Sequence, residues 1–140
     1  MCLLDRVAAW NADEVRCVAT SHRDRSNPLR AHDRLGAACG IEYAAQAMAV
    51  HGALYAGFDA NGDNAAAASK PGMLASVRGV EVLVDRLDDI GGDLTVIATR
   101  QSADERAIAY AFELRDGERL LLSGRATVLL SQVTIASRLA

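Results

Sequence analysis

Glu42 and Gln46 stand four residues apart in the run Gly40-Ile41-Glu42-Tyr43-Ala44-Ala45-Gln46-Ala47-Met48-Ala49, the one carboxylate and the one amide of an otherwise small, apolar segment. Ala, Met and Gln favour helix, no Pro interrupts the run from Leu35 to about Ala56, and residues four apart stack on one helix face. A buried carboxylate is costly unless it is paired, hydrogen-bonded or protonated, and burial raises its pKa towards the range of a general acid. The expectation is a buried Glu42 able to act as an acid, with Gln46 orienting it or a water. The purely structural alternative makes Glu42 the buried partner of an arginine or of Gln46. Two histidines precede it, His22 by twenty residues and His32 by ten, and either is a candidate general base. His51, nine residues beyond Glu42, falls two and a half helical turns away and reads as a core or interface residue.

The elements around these residues follow from local pattern. Leu3 to Trp10 and Val15 to Thr20 read as strands of a hairpin turning at Asn11-Ala12-Asp13. A polar loop runs from Ser21 to about Arg34 with its turn signal at Asn27-Pro28, and the long helix follows, ending near Gly57. Phe58 to Gly72, rich in Asn, Asp, Gly and Ala, reads as a mobile connection with Ala65–Ala68 as filler. Four strands come next: Met73 to Leu87, Leu94 to Arg100, Arg106 to Leu114, and Leu120 to about Val133. They are separated by Asp/Gly turns at 88–93 and 116–118. Val80, Val82 and Val84 alternate with other residues, predicting a sheet with one wetter face. Hairpin, helix and antiparallel meander predict a single α+β domain over residues 1–140, a sheet wrapped round one long helix. Such a sheet leaves edges open and its helix poorly covered, which predicts at least a dimer.

Composition excludes several classes. Of the 140 residues 51% are hydrophobic but only 4% aromatic, so Ala, Val, Leu and Ile must fill the core. The longest apolar run is broken by Glu42 and His51 before it reaches the roughly 18 residues of a membrane span. No leader-like segment stands at Met1, and the expected location is the cytoplasm. Cys2, Cys17 and Cys39 show neither disulfide nor metal spacing and read as small core residues of a reducing compartment. The net charge of -3 argues against nucleic-acid binding. Residues 16–34 nonetheless carry five arginines (16, 23, 25, 30, 34) against two aspartates (24, 33), a local excess that suits an anionic partner or a solvated loop face. Cys39 as a nucleophile lacks a histidine at useful spacing. Ser21, His22 and Asp24 are too close in sequence to converge as a hydrolase triad, and Gly91-Gly92 is a turn rather than a phosphate loop. Neither a metal nor another cofactor is expected.

The order of elements, with Leu3-Leu4-Asp5-Arg6-Val7 at the first strand, Asn27-Pro28-Leu29 in the loop, Glu42-Tyr43-Ala44-Ala45-Gln46 on the helix and Met73–Val80 after it, resembles the hotdog fold of the 3-hydroxyacyl-[acyl-carrier-protein] dehydratases. Gly-Ile-Glu-Tyr-x-Ala-Gln, preceded by Ser21-His22-Arg23-Asp24, is most similar to a divergent dehydratase-like subgroup found with type II fatty-acid and aryl-polyene-type synthesis. The resemblance implies elimination of water from a 3-hydroxyacyl thioester on acyl carrier protein or coenzyme A, with Glu42 as acid and His22 or His32 as base, acid and base coming from opposite subunits. It implies further that backbone N–H groups at the helix start, here Ala37, Ala38 and Cys39, hold the thioester carbonyl, and that Arg23, Arg25, Arg30 and Arg34, with Lys70 and Arg78, meet an acidic or phosphate-bearing carrier. The typical His-Phe-Pro element and the Pro-Gly at the helix start are absent, and Gly36-Ala37-Ala38 stands in the latter's place. Two rivals to a complete homodimeric dehydratase therefore stand: a partner subunit that lends Glu42 to a related dehydratase subunit in a heterodimer, and an acyl-CoA thioesterase on the same fold.

Overall fold

The computed structural model describes residues 2–59 and 72–130. Residues 60–71 of the expected mobile connection, Lys70 among them, and the last residues of the final strand lie outside them, while Phe58 and Asp59 belong to the helix and Gly72 to the strand that follows. The opening hairpin is present: strand β1 (Arg6–Trp10) pairs antiparallel with β2 (Glu14–Ala19). Asn11 makes the turn by accepting the N–H groups of Asp13 (2.8 Å) and Glu14 (2.9 Å) on its Oδ1. Helix α1 (Gly40–Asp59) is followed by β3 (Gly72–Val82), β4 (Leu94–Ala103), β5 (Ala107–Asp116) and β6 (Arg119–Leu130). These strands form one antiparallel sheet in the order β1-β2-β4-β5-β6-β3, so β1 and β3 are its edges. The expected α+β architecture is what is found. No helix among the described residues is long and apolar enough to cross a membrane.

The helix begins later and ends later than its composition suggests. Leu35 lies outside any helix, Gly36 is extended, a 3-10 turn spans Ala37–Cys39, and the α-helix starts only at Gly40. Tertiary bonds override helix propensity here. Leu35 donates its N–H to Asp88 Oδ1 (2.8 Å) and accepts the N–H of Leu87 (2.8 Å), which holds it out of the helix. Gly40 then presses on the sheet, where a Cβ would meet Leu114 Cδ2 at 2.8 Å. Gly57, expected to end the helix, lies inside it.

Residues 40, 43, 44, 47, 48 and 51 of α1 are buried against the sheet, on a core with Leu94, Val96, Phe112, Leu114 and Leu122. The opposite stripe, Glu42, Ala49 and Ala53, is exposed. β3, an edge strand, is exposed along nearly its whole length and does not show the expected alternation, and its register shifts between Leu74 and Ser76 and again between Arg78 and Glu81, where Gly79 is left-handed (φ 62). Cys17 lies in the core as expected, whereas Cys2 is exposed and Cys39 half-buried.

A buried polar chain fastens the loop and the N-terminal segment to the helix. Ser21 Oγ lies 2.7 Å from the Leu3 carbonyl and 2.8 Å from Tyr43 Oη, and Asn27 Nδ2 lies 3.1 Å from Tyr43 Oη and 2.9 Å from the Ser21 carbonyl. A carbonyl only accepts, so Ser21 donates to Leu3, Tyr43 donates to Ser21, and Asn27 donates to Tyr43. Burial raises the Tyr43 pKa, which keeps it a donor. Tyr43→Phe removes two of these bonds, and the expected loss of about 1–3 kcal/mol of unfolding free energy is read from denaturant titration.

Candidate functional site

The residues expected to do chemistry part company in the structure. Glu42 is not buried: it stands on the exposed stripe of α1, with no ion pair or hydrogen bond among the described residues. The reason is angular, since successive helical residues turn by about 100° and Tyr43 and Ala44 take the sheet-facing positions. Gln46 turns to the N-terminal segment, where its Oε1 accepts the Leu3 N–H at 2.7 Å.

Of the three expected backbone donors, Ala37 gives its N–H to the Asp85 carbonyl (3.1 Å) and Cys39 to that of Gly36 (3.0 Å). Ala38 N–H has no acceptor among the described residues, and Ala38 is exposed, one turn before Glu42 on the same stripe. An N–H at the start of a helix, pointing away from its carbonyls, is suited to a developing negative charge. Beyond Glu42 the stripe lines an apolar groove of about 340 Å³, between Ala45, Met48, Ala49 and Ala53 of the helix and Leu74, Ile108, Tyr110 and Val128 of the sheet. A second hollow of about 430 Å³ shares Gly52, Ile108, Tyr110 and Leu130 with it. An N–H, a carboxyl and an apolar trough thus follow one another along one helix face.

The histidines are elsewhere. His22 is fully buried, and its Nε2 lies 3.1 Å from the Ile90 carbonyl and 2.9 Å from that of Gly92. Two acceptors fix the neutral tautomer with the proton on Nε2, leaving Nδ1 buried and unpartnered. Burial, opposed by those two carbonyls, lowers the His22 pKa. His32 is exposed at the tip of a tight turn closed by bonds between Ala31 and Arg34, both central residues being left-handed (His32 φ 55, Asp33 φ 62). His51 is a core residue, as expected. Its Nε2 donates to the Asn11 carbonyl (3.0 Å), so Nδ1 accepts the hydroxyl of Tyr110 (2.8 Å).

The arginine-rich loop is largely neutralised from within. Arg23 binds the Gly91 and Gly92 carbonyls (2.9 and 2.7 Å) and Asp93 (3.2 Å). Arg30 binds the Asp24 carbonyl (3.0 Å) and Arg34 binds Asp85 (2.7 Å), while Arg25 is exposed. Among the described residues no group of three His, Cys, Asp or Glu is placed to hold a metal. Sequence reasoning missed the partners of Tyr43, His51 and His22. Asn27-Pro28, read as a turn signal, was the one visible trace of the Tyr43 network.

A six-stranded antiparallel sheet wrapped on one helix, with an open groove along the helix, is the hotdog architecture. Solved structures share it: a chain of the ApeI:P dehydratase heterocomplex from Xenorhabdus doucetiae is 24% identical, with a TM-score of 0.76 over 98% of this chain and 88% of that one. A thioesterase from Haemophilus influenzae is 14% identical (TM-score 0.62, 89% of this chain and 76% of that one), and a variant of the phenylacetic acid degradation protein PaaI from Thermus thermophilus is 16% identical (TM-score 0.59, 89% and 90%). At these identities the likeness carries the fold alone. Residues 1–138 match the model of the ApeP-like family, described as ApeP dehydratase, and the chain belongs to that family. The resemblance read from its motifs is thereby borne out. No curated protein matches the sequence.

The burial of His22 has a measurable consequence. A histidine whose folded pKa lies below its unfolded value near 6.5 must take up a proton on unfolding, so its contribution to stability is complete above about pH 6.5 and is lost as the pH falls through that value towards the folded pKa. Thermal melts between about pH 7.5 and 5.5 are expected to show Tm falling with pH in the native chain and a shallower slope in His22→Gln, which keeps an N–H donor without the titration. Equal slopes in the two proteins would contradict this.

Proposed function

We propose that this chain is the acid-bearing subunit of a 3-hydroxyacyl thioester dehydratase and works against a second, dehydratase-like subunit that supplies the base. The observation that carries the reading is the stripe of Ala38, Glu42 and the apolar groove, set against two loop histidines that are sealed (His22) or held at a turn tip (His32). The exposed β3 edge and the uncovered alanine face of the helix support a partner, since an apolar helix face and an open edge are both normally covered. The ApeI:P relative is by its description a heterocomplex, which supports a partner that differs from this chain.

The chemistry follows. The thioester, on acyl carrier protein or coenzyme A, lays its acyl chain in the groove, and its carbonyl oxygen accepts the Ala38 N–H. The partner's base removes a proton from C2. The electron pair of that bond moves towards the carbonyl, where the N–H and the helix start stabilise the developing enolate. Glu42, as the general acid, gives its proton to the C3 hydroxyl as the C3–O bond breaks. Water leaves, the C2–C3 double bond forms, and Glu42 is left as a carboxylate to be reprotonated.

Turnover is followed with a 3-hydroxyacyl thioester by the enoyl chromophore and by free thiol, with this chain alone and mixed with a dehydratase-like subunit. The chain alone is expected to form no enoyl product, and mixing to restore it. Glu42→Gln in the mixture lowers kcat by about 10²–10⁴-fold with assembly unchanged. Full activity of the isolated chain would overturn the shared site, and thiol release would move the protein to the thioesterases.

A further inference from the structure

Gly52 lies in the interior of α1, away from both of its ends. A glycine there costs helix stability, because its backbone loses more freedom on folding than that of any other residue. The packing of the described residues does not call for it. Its backbone is not left-handed, and a Cβ built on it would meet no atom within 4 Å outside its own helix backbone and chain neighbours. Gly40 of the same helix is the contrast, since a Cβ there would press on Leu114.

What Gly52 borders is open space. It lines both the groove of about 340 Å³ and the hollow of about 430 Å³, and it is the one residue of α1 common to their linings. Ile108, Tyr110 and Leu130 line both from the sheet side, so the two volumes meet between these three and Gly52. The sheet side of that junction is fixed, because the Tyr110 hydroxyl is bonded to the buried His51 (2.8 Å) and His51 in turn to the Asn11 carbonyl (3.0 Å). Beyond the junction the lining changes character. Arg100 stacks on the Tyr55 ring, 4.2 Å from its centroid, and Asp104 and Glu105 border the same hollow. An alkyl chain gains by burial along the apolar groove and stops where burying it would desolvate charges. By helical rise alone Gly52 stands about 15 Å beyond Glu42, so only a long chain anchored at Glu42 reaches it.

We propose that Gly52 is the passage between the two volumes and thereby decides which acyl chains the site prefers. Long-chain 3-hydroxyacyl thioesters run past it into the hollow of Tyr55 and Arg100, whereas short ones end in the groove before it. The inference rests on the reading that Glu42 acts on a thioester whose acyl chain lies in the groove. It accounts for a helix glycine that packing leaves unexplained.

Turnover of 3-hydroxybutanoyl- and 3-hydroxyhexadecanoyl-coenzyme A is compared in the assembly of this chain with its dehydratase-like partner. The variants are Gly52→Ala, Gly52→Leu and Gly57→Ala, the last a helix glycine that lines neither volume and whose Cβ would also meet nothing. Gly52→Ala is expected to raise the Tm of the chain by about 2–4 °C, since it relieves a helix-interior glycine without a clash. Gly52→Leu is expected to lower the ratio of long-chain to short-chain kcat/KM about tenfold or more, chiefly through the long-chain KM, with Gly52→Ala between it and the native chain. Gly57→Ala leaves that ratio as it is. A lower Tm or lost assembly in Gly52→Ala would assign the glycine to packing or to the subunit interface and overturn the passage. An unchanged ratio in Gly52→Leu would overturn it too. Calorimetry with butanoyl- and hexadecanoyl-coenzyme A, which cannot be dehydrated, separates the two readings. Absent turnover with hexadecanoyl-coenzyme A bound tightly by the native assembly and weakly by Gly52→Leu removes the dehydratase and keeps the passage. Turnover with a ratio indifferent to Gly52 does the reverse.

Discussion

The entry into α1 is held by a clamp on which the arrangement of the site depends. Four bonds join residues 34–37 to the loop after β3: Arg34 to the Asp85 carboxylate (2.7 Å), Leu35 N–H to Asp88 Oδ1 (2.8 Å), Leu87 N–H to the Leu35 carbonyl (2.8 Å), and Ala37 N–H to the Asp85 carbonyl (3.1 Å). Asp88 is itself fixed by Arg86, whose guanidinium holds its carboxyl well below the usual carboxylate range, so it stays an acceptor at any working pH. The clamp delays the helix to Gly40, consumes the N–H of Ala37 and leaves that of Ala38 without an acceptor among the described residues. From that fixed start, helical geometry alone carries Glu42 and the groove-lining alanines onto one line.

The segment Gly-Ile-Glu-Tyr-x-Ala-Gln divides its labour. Gly40 lets the helix approach the sheet, Tyr43 anchors the loop through Ser21 and Asn27, and Gln46 holds Leu3. Glu42 alone faces outward. Three of the four polar or special residues thus serve architecture, and that architecture presents the fourth.

Local pattern was enough to read the hairpin, the helix, the meander and the fold class, because Asn11, the alanine-rich run and the Asp/Gly turns are local signals. What stayed hidden depends on residues far apart in sequence. His22 meets carbonyls 68 and 70 residues away, and His51 meets Tyr110 59 residues away, so neither fate could be read from its neighbours. Glu42 was placed in the core because its neighbours are apolar. In the chain it lies on an apolar face left open, a distinction composition does not make. The register shifts of β3 likewise stayed hidden, since they reveal themselves only through pairing.

An acid, an N–H donor and an apolar trough lie on one uncovered face, and the proposed elimination needs the rest of its site from what covers that face. The measurement that tests this most directly is a structure of the chain assembled with its dehydratase-like partner and a non-reacting 3-hydroxyacyl thioester analogue. The account predicts the carbonyl oxygen at Ala38 N–H, the C3 oxygen within hydrogen-bond reach of the Glu42 carboxyl, and a basic nitrogen of the other subunit facing C2. An analogue bound away from this stripe, or His22 released from Ile90 and Gly92 to face C2, would contradict it.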